Sequence, residues 1–455
     1  MFLFPKNNFQ VFRALFVYFA AVIFLLLVPN GHAGAASSPS ENEPSTYFDE
    51  LLEKLKKGTP SKFGTHYYWD KGFHVVSPNK KFVLKVGGLM GVDLGYVDAH
   101  GDLKQAFSSL DSFSPDFRRL IISTHTTLYN AVDIKLEIDF ANVRTVKDIW
   151  IRYKKSRFLS HFRYGNMKEP YSLERLTSSS CITFMERALP VNALSLGRNI
   201  GIQFNNTVFD DRFTFGAGVF WNTGSLHDIS DPQDSISEAN GYNITARVTG
   251  LGWYEDKGQD LMHWGLACSW GSRNGNDKSN RVSALPESRL LDQTLVDTEE
   301  FAADSISRIN SEFALVSGPL SFQSELTYYN ADAGEHLDFW GYYLYASYFF
   351  TGEHRAYDRL NGVFLPVHPG HNFNLRDKKW GAWEIGFRHS YVDLNDEAIK
   401  GGKERNFTFG LNWYINPNMR VMFNFIRAEV EDRDNSRVID DGSANILQMR
   451  FQIHY

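Results

Sequence analysis

The sequence predicts an all-β fold, a 16-stranded antiparallel transmembrane β-barrel. Three observations predict it. The chain ends in a strand whose residues alternate apolar and polar up to the last position. A dozen or more earlier segments alternate in the same way, with aromatic residues on the apolar parity. The connections between them fall into a short set and a long set.

The last twelve residues, 444–455 (ANILQMRFQIHY), set the pattern. Leu447, Met449, Phe451, Ile453 and Tyr455 share one parity; Gln448, Arg450, Gln452 and His454 share the other. Side chains alternate between the two faces of a strand, so one face is apolar and the other polar. A strand of this kind that ends in an aromatic is expected to close an outer-membrane barrel. Its apolar face then meets lipid and its polar face a water-filled lumen.

Sixteen segments fit the pattern. They span 82–96, 117–129, 133–140, 146–153, 161–166, 199–205, 213–222, 242–250, 262–271, 305–316, 320–329, 339–350, 381–394, 406–415, 419–429 and 444–455. The alternation is sharp in several. Ile134, Leu136, Ile138 and Phe140 interleave with Asp133, Lys135, Glu137 and Asp139. Phe407, Phe409, Leu411, Trp413 and Ile415 interleave with polar or small residues. One such strand also suits a soluble sheet; so many with aromatic outer faces favour a membrane barrel.

Connection lengths are an independent check, because bacterial barrels have short periplasmic turns and longer outer loops. With both ends periplasmic, 129–132, 206–212, 317–319 and 416–418 are inner turns, and all are short. The outer loops 167–198, 223–241 and 272–304 are all long. The connection 351–380 breaks the rule, being long on the periplasmic side. Either it hides a further hairpin or it folds into the lumen.

Composition agrees. Aromatic residues make up 15% of the chain, with 37 Phe, 21 Tyr and 10 Trp, a load that suits lipid-facing positions and interfacial girdles. The N-terminus carries Lys6 and Arg13, then the apolar run Ala14 to Val28, then the small-residue site Ala33-Gly34-Ala35. That order predicts a secretory signal over residues 1–35 rather than the alternative, an N-terminal membrane anchor. Its removal takes two bases and no acid, leaving 45 basic against 53 acidic residues and a net charge of −8. This balance excludes nucleic acid as a partner. Residues 36–71 read as a linker with a short amphipathic helix, Tyr47 to Lys57, stopped by Gly58-Thr59-Pro60; 72–455 read as the barrel. Cys181 is expected in a loop within the pore and Cys268 on the lipid face, so no disulfide is expected.

Nothing in the sequence supports an enzyme. It lacks metal-spaced His or Cys clusters, G-x-S-x-G and a P-loop, so no catalytic residue, metal or cofactor is expected. Gly216-Ala217-Gly218 lies within a strand, and the pair Ser123 and His125 turns into the lumen rather than outward.

Several stretches resemble the phosphate-selective porin O and P family. They are Val146-Lys147-Asp148, the run from Lys168 to Pro190 (KEPYSLERLTSSSCITFMERALP), Gly197 to Gly201, Tyr345 to Glu353 and Gly381 to Glu384. The likeness covers roughly 72–455, and the run from Lys168 is its most specific part. It implies a homotrimeric porin with an inward-folded constriction loop and a long periplasmic turn entering the lumen. The helix over 47–57 is shorter than the coiled-coil arms of some relatives, so trimerisation through an arm has no support.

The implied function is passive diffusion of small hydrophilic solutes across the outer membrane, with a preference for phosphate or other anions. Arg offers an oxyanion a planar, bidentate fork. Arg119 and Lys135 are on lumenal parity, and Arg118 precedes Arg119 at the start of its strand; Lys168, Arg175, Arg187 and Arg198 lie in or beside the constriction loop. The resemblance places Arg118, Arg119, Lys135 and Lys168 at positions that contribute to an anion-binding ladder. Glu169, Glu174 and Glu186 share the loop, and pairing with them would leave only mild selectivity. Lys154, Lys155 and Arg157 read as a solvated periplasmic turn, and the acidic stretch 292–304 as an exposed outer loop. Partners are small anions, outer-membrane lipid and lipopolysaccharide. The alternatives are a non-selective general porin and, from another class, a barrel serving as surface scaffold or adhesin.

Overall fold

The computed structural model describes residues 59–60, 64–70, 72–106, 114–141, 145–154, 161–222, 236–238, 241–273, 278–290, 294–397, 399–434 and 441–455. The signal segment, the helix expected over 47–57, and Lys155 and Arg157 lie outside the described residues.

Sixteen antiparallel strands close on themselves. They are β1 (Phe82–Gly101), β2 (Ser114–Leu128), β3 (Val132–Asp139), β4 (Thr145–Tyr153), β5 (His161–Lys168), β6 (Arg198–Val208), β7 (Phe213–Asn222) and β8 (Gly241–Glu255). The second half is β9 (Asp260–Arg273), β10 (Ser305–Ser317), β11 (Leu320–Asp332), β12 (His336–Phe349), β13 (Ala382–Asp396), β14 (Ile399–Asn416), β15 (Met419–Arg433) and β16 (Gly442–His454). Each expected strand is present, and most run longer than the alternation indicated. The seam is β16 on β1, from Gly442 opposite Gly101 to His454 opposite Leu89. Closure pairs each of the sixteen strands with a neighbour on both sides, as hydrocarbon requires.

The parity is as read from sequence. In β16, Gln448, Arg450 and Gln452 are buried inside, while Leu447, Met449, Phe451 and Ile453 stay partly exposed on the outer face. Cys268 lies on the outer face between Leu266 and Trp270, Cys181 is buried in the loop after β5, and both thiols are free. The ladder begins before residue 72. His66–Trp69 pairs with Phe73–Val76, which pairs with the first residues of β1.

Two outer loops fold inward. The loop after β5 carries α1 (Leu173–Leu176) and α2 (Leu189–Leu194), and nearly all of 169–197 is buried. The described part of the loop after β9 also enters, so the stretch expected to be exposed over 292–304 is so only in part: Asp297 is buried, while Glu300 and Asp304 are exposed. Its acids are interleaved with Leu295, Val296, Phe301 and Ala303, and these join an apolar cluster with Leu189 and Leu194 of α2 and Val392, Ile426 and Ile446 of the wall. Burying that apolar surface draws the loop in. Asp297, 1% exposed, is satisfied by Arg281 at 2.8 Å. The lumen at this level is therefore apolar on one side.

The long periplasmic connection realises both alternatives at once. It contains a small hairpin, Tyr357–Asp358 on Val363–Phe364, and that hairpin lies in the lumen. Arg247 of β8 holds its tip, donating to the carbonyls of Asn361 at 3.3 Å and Gly362 at 2.9 Å. Tyr357 Oη lies 2.6 Å from His263 Nδ1 of β9.

Candidate functional site: the pore constriction

Wall, inward loop and periplasmic hairpin meet around one cavity of about 310 Å³. The wall contributes Arg119, Lys135, Lys147, Arg163, Arg198 and Arg247. The loop, with the last residue of β5, contributes Lys168, Arg175 and Arg187, and the hairpin tip contributes Leu360, Asn361 and Val363. Nine cationic side chains thus face two carboxylates, Glu137 and Asp148. The volume is near the small end of ligand pockets, about 300–1,000 Å³.

Two β-bulges raise the density of lumenal charge. On β2, Arg119 faces Gly91 and Phe117 faces Val92, which leaves Arg118 as the extra residue. Arg118 and Arg119 both point inward, at 3% and 5% exposure, while Phe117 and Leu120 face out. On β4, the register slips between Leu136 and Ile138 of its partner, and Lys147 and Asp148 both turn in. A bulge places two consecutive side chains on one face, which strict alternation forbids.

Both lining carboxylates are neutralised. Asp148 accepts from Lys135 at 2.6 Å and from Arg198 at 2.7 Å; Glu137 accepts from Lys135 at 2.8 Å. Among the described residues, Lys168, Arg163 and Arg187 form no ion pair. Lys168 donates to the Arg175 carbonyl at 2.6 Å. Arg163 lies 4.5 Å over the Trp150 ring, a cation–π contact that leaves its charge uncompensated. Arg187 donates to the carbonyls of Glu174 at 3.1 Å and Thr177 at 3.0 Å. Burial, and after it Arg175, push the Arg187 guanidinium down to about 10, which keeps it charged at neutral pH.

Of the seven candidates, six line this cavity. Arg118 is the exception: it is adjacent and forks onto Glu186 at 2.8 and 3.0 Å. Arg450 holds Glu186 too, at 2.6 Å, and Asp93 with it. It is thus Glu186 that pins the loop to the wall, while Arg187 braces the loop internally. Glu169 is tied by Asn199 at 2.7 Å and Asn243 at 2.9 Å, and Glu174 accepts from the Ala188 N–H at 3.0 Å. The loop's acids are therefore used in anchoring, and none lines the cavity.

Three more wall arginines hold the loop by its carbonyls, a role that sequence reading missed. Arg420 donates to Ile182 at 2.9 Å, Arg450 to Met185 at 2.6 Å and Arg388 to Glu186 at 3.0 Å. On β11, the Glu325 carboxylate accepts the N–H groups of Leu173 at 3.1 Å and Glu174 at 2.8 Å, capping α1. Lys154, expected in solvent, instead reaches Asp133 at 2.7 Å.

A closed sixteen-stranded barrel with a narrow, polar, loop-lined passage defines an outer-membrane porin, a channel located in the bacterial outer membrane. The chain belongs to the phosphate-selective porin O and P family, whose model matches residues 84–455. It is 24% identical over 428 residues to Porin O of Pseudomonas aeruginosa, covering 84% of this chain and 90% of that one. An uncharacterised protein of Caulobacter vibrioides is 26% identical over 404 residues, 87% of this chain and 78% of that one. Among solved structures, the outer membrane channel DcaP of Acinetobacter baumannii matches at a TM-score of 0.51 and 10% identity, covering 82% of this chain and 97% of that one. A loop-deletion mutant of the Vibrio cholerae outer membrane protein OmpT matches at 0.50 and 10%, covering 82% and 100%.

Proposed function

We propose that this porin passes small hydrophilic solutes with a preference for anions, phosphate and other oxyanions among them. The observation that carries this reading is the imbalance at the constriction: nine cations face two carboxylates, and both carboxylates are already paired. Fixed positive charge in a narrow passage raises the local anion concentration and lowers that of cations. The guanidinium and ammonium groups also supply N–H donors for oxyanion oxygens. The description of the family, phosphate-selective porin O and P, supports the same reading. Zero-current potential in a potassium chloride gradient tests it, followed by titration with phosphate. Anion selectivity and a chloride current that falls as phosphate is added are expected. A cation-selective pore sinks the reading.

We further propose that the protein is a homotrimer and that residues 1–35 are removed on export. Among the described residues, neighbouring β3, β4 and β5 have 8, 9 and 8 residues, whereas the wall from β10 to β16 has 13 to 18 per strand. A strand crossing hydrocarbon needs about 9–11 residues. The short sector nevertheless exposes Leu136, Ile149, Ile151 and Tyr164, which supports cover by neighbouring protomers. Ile149→Arg is expected to dissociate the oligomer on mild electrophoresis.

A further inference from the structure

The periplasmic connection has a second part, 371–380, on the outer face of the wall rather than in the lumen. The Phe373 N–H donates to the Ile415 carbonyl at 2.7 Å. Its ring meets Trp413 edge-on at 5.0 Å, and Trp383 stacks on Trp413 at 5.4 Å. The indole N–H groups of Trp383 and Trp413 both donate to the Trp380 carbonyl, at 3.2 and 2.9 Å. Trp413 shares the lipid-facing parity of Phe407 and Phe409, yet it is only 6% exposed, being under this cluster.

The segment is built as a rigid turn. Asn374 Oδ1 accepts the N–H groups of Arg376 at 2.9 Å and Asp377 at 3.4 Å, and its Nδ2 donates to Asp377 at 2.7 Å. Asn374 and Lys379 pair across it. The turn presents Leu375, 50% exposed, and Trp380, 60% exposed. Arg376, Lys378 and Lys379 are exposed around them, against one carboxylate, Asp377, which Asn374 engages.

An exposed apolar patch ringed by cations, at the periplasmic end of a lipid-facing wall, has the chemistry of an interfacial anchor. Trp prefers the headgroup boundary, and Lys and Arg beside it meet lipid phosphates. A protein partner fits less well, because Lys is depleted from interface cores. We propose that residues 371–380 form a foot that docks on anionic phospholipid of the periplasmic leaflet. Leu375 and Trp380 enter the acyl boundary, and Arg376, Lys378 and Lys379 hold the headgroup phosphates.

The test reconstitutes the full protein in phosphatidylcholine vesicles carrying brominated phosphatidylcholine or brominated phosphatidylglycerol. The difference between wild type and W380F isolates the fluorescence of Trp380; W380Y replaces W380F if the latter does not assemble. Brominated lipid should quench that component, and the phosphatidylglycerol should do so at a concentration at least about fivefold lower, since the three cations are attracted to an anionic surface. R376Q/K378Q/K379Q should abolish the preference and leave single-channel conductance unchanged. An unquenched Trp380, as at a protein contact, overturns the proposal. So does equal quenching by both lipids, or loss of the preference when inorganic phosphate is added, which indicates a free-anion site instead.

Discussion

Arg118 and Glu186 are joined by two parallel hydrogen bonds, 2.8 and 3.0 Å long, across 68 residues of sequence. One side chain stands on the barrel wall and the other in the loop that narrows the pore. Both are buried, and Arg450 closes on the same carboxylate. The constriction loop is thus fastened at this point by a shared charge. Each partner compensates the others, and removing one leaves buried charge uncovered.

Glu186→Gln should therefore loosen the loop without unfolding the barrel, whose strands are held by their own ladder. Breaking a buried pair costs about 3–5 kcal/mol, and the expected readouts are greater open-channel noise and new protease sensitivity within 178–187. Burial alone would raise the Glu186 carboxyl, but Arg118 and Arg450 reverse this and hold it well below the usual range. A depressed carboxylate stabilises fully above its unfolded pKa, about 4.3, and loses that contribution only as pH falls through the still lower folded value. The wild type should therefore stay quiet from pH 7 to pH 5. Wild-type noise that rises to the mutant level by pH 5 is the outcome that sinks this.

Selectivity is best tested at Lys168 and Arg163. Both line the cavity, and neither forms an ion pair among the described residues. Arg187 is a poorer choice, because its guanidinium braces the loop through backbone carbonyls. Lys168→Gln and Arg163→Gln should each move the zero-current potential toward cations. One charge acting over roughly 8 Å at an effective dielectric near 40 is worth about 1 kcal/mol, or about fivefold in local anion concentration. The shift should shrink between 0.1 M and 1 M salt, as the Debye length falls from about 10 Å to about 3 Å. Variants indistinguishable from wild type at 0.1 M place the selectivity elsewhere.

The fold was legible because parity is a strong signal when every strand separates lipid from lumen. Arg119 and Lys135 could be placed by counting residues along a strand. Arg163 and Arg247 share the same signal and could have been found by it, since each alternates with outward residues such as Tyr164 and Val248. Lys147 could not, because a bulge puts it on the same face as Asp148. The anchoring arginines Arg388, Arg420 and Arg450 were equally silent. Lumenal parity is visible in sequence, but which carbonyl of a folded-in loop a guanidinium meets is a tertiary fact. The inward course of 294–304 was hidden by its charge: the acids drew attention, and Leu295, Val296 and Phe301 decided the outcome.

The periplasmic hairpin narrows the cavity from below, and Gly362 is its point of contact. It sits in the left-handed region at φ 63°, and a Cβ there would lie 2.8 Å from Thr249 Oγ1 and 3.1 Å from Thr214 Oγ1. Gly362→Val should push the tip off the wall, break the Arg247 hydrogen bonds and raise single-channel conductance. The anion preference should persist, since the cationic wall is untouched. An unchanged conductance with the variant fully assembled means that the hairpin does not limit the pore.

The last prediction concerns closure. Tyr455 extends the seam by one reciprocal pair: the Gly88 N–H donates to its carbonyl at 2.8 Å, and its own N–H donates to Gly88 at 3.0 Å. Its ring lies against the glycine, where a Cβ would come within 2.8 Å of Cζ and 2.6 Å of the Ile121 carbonyl. Trp69 of the preceding hairpin stacks on the same ring at 6.0 Å. Gly88→Val should therefore obstruct the final residue from the opposite strand, and deletion of Tyr455 should remove it outright. Both should lower the amount of folded barrel in the outer membrane, read as the heat-modifiable species on electrophoresis. Gly91→Ala is the control, because a Cβ there meets nothing closer than 3.7 Å; it should assemble normally. Wild-type levels of both the Gly88→Val variant and the truncated chain would show that the barrel closes without its terminal aromatic.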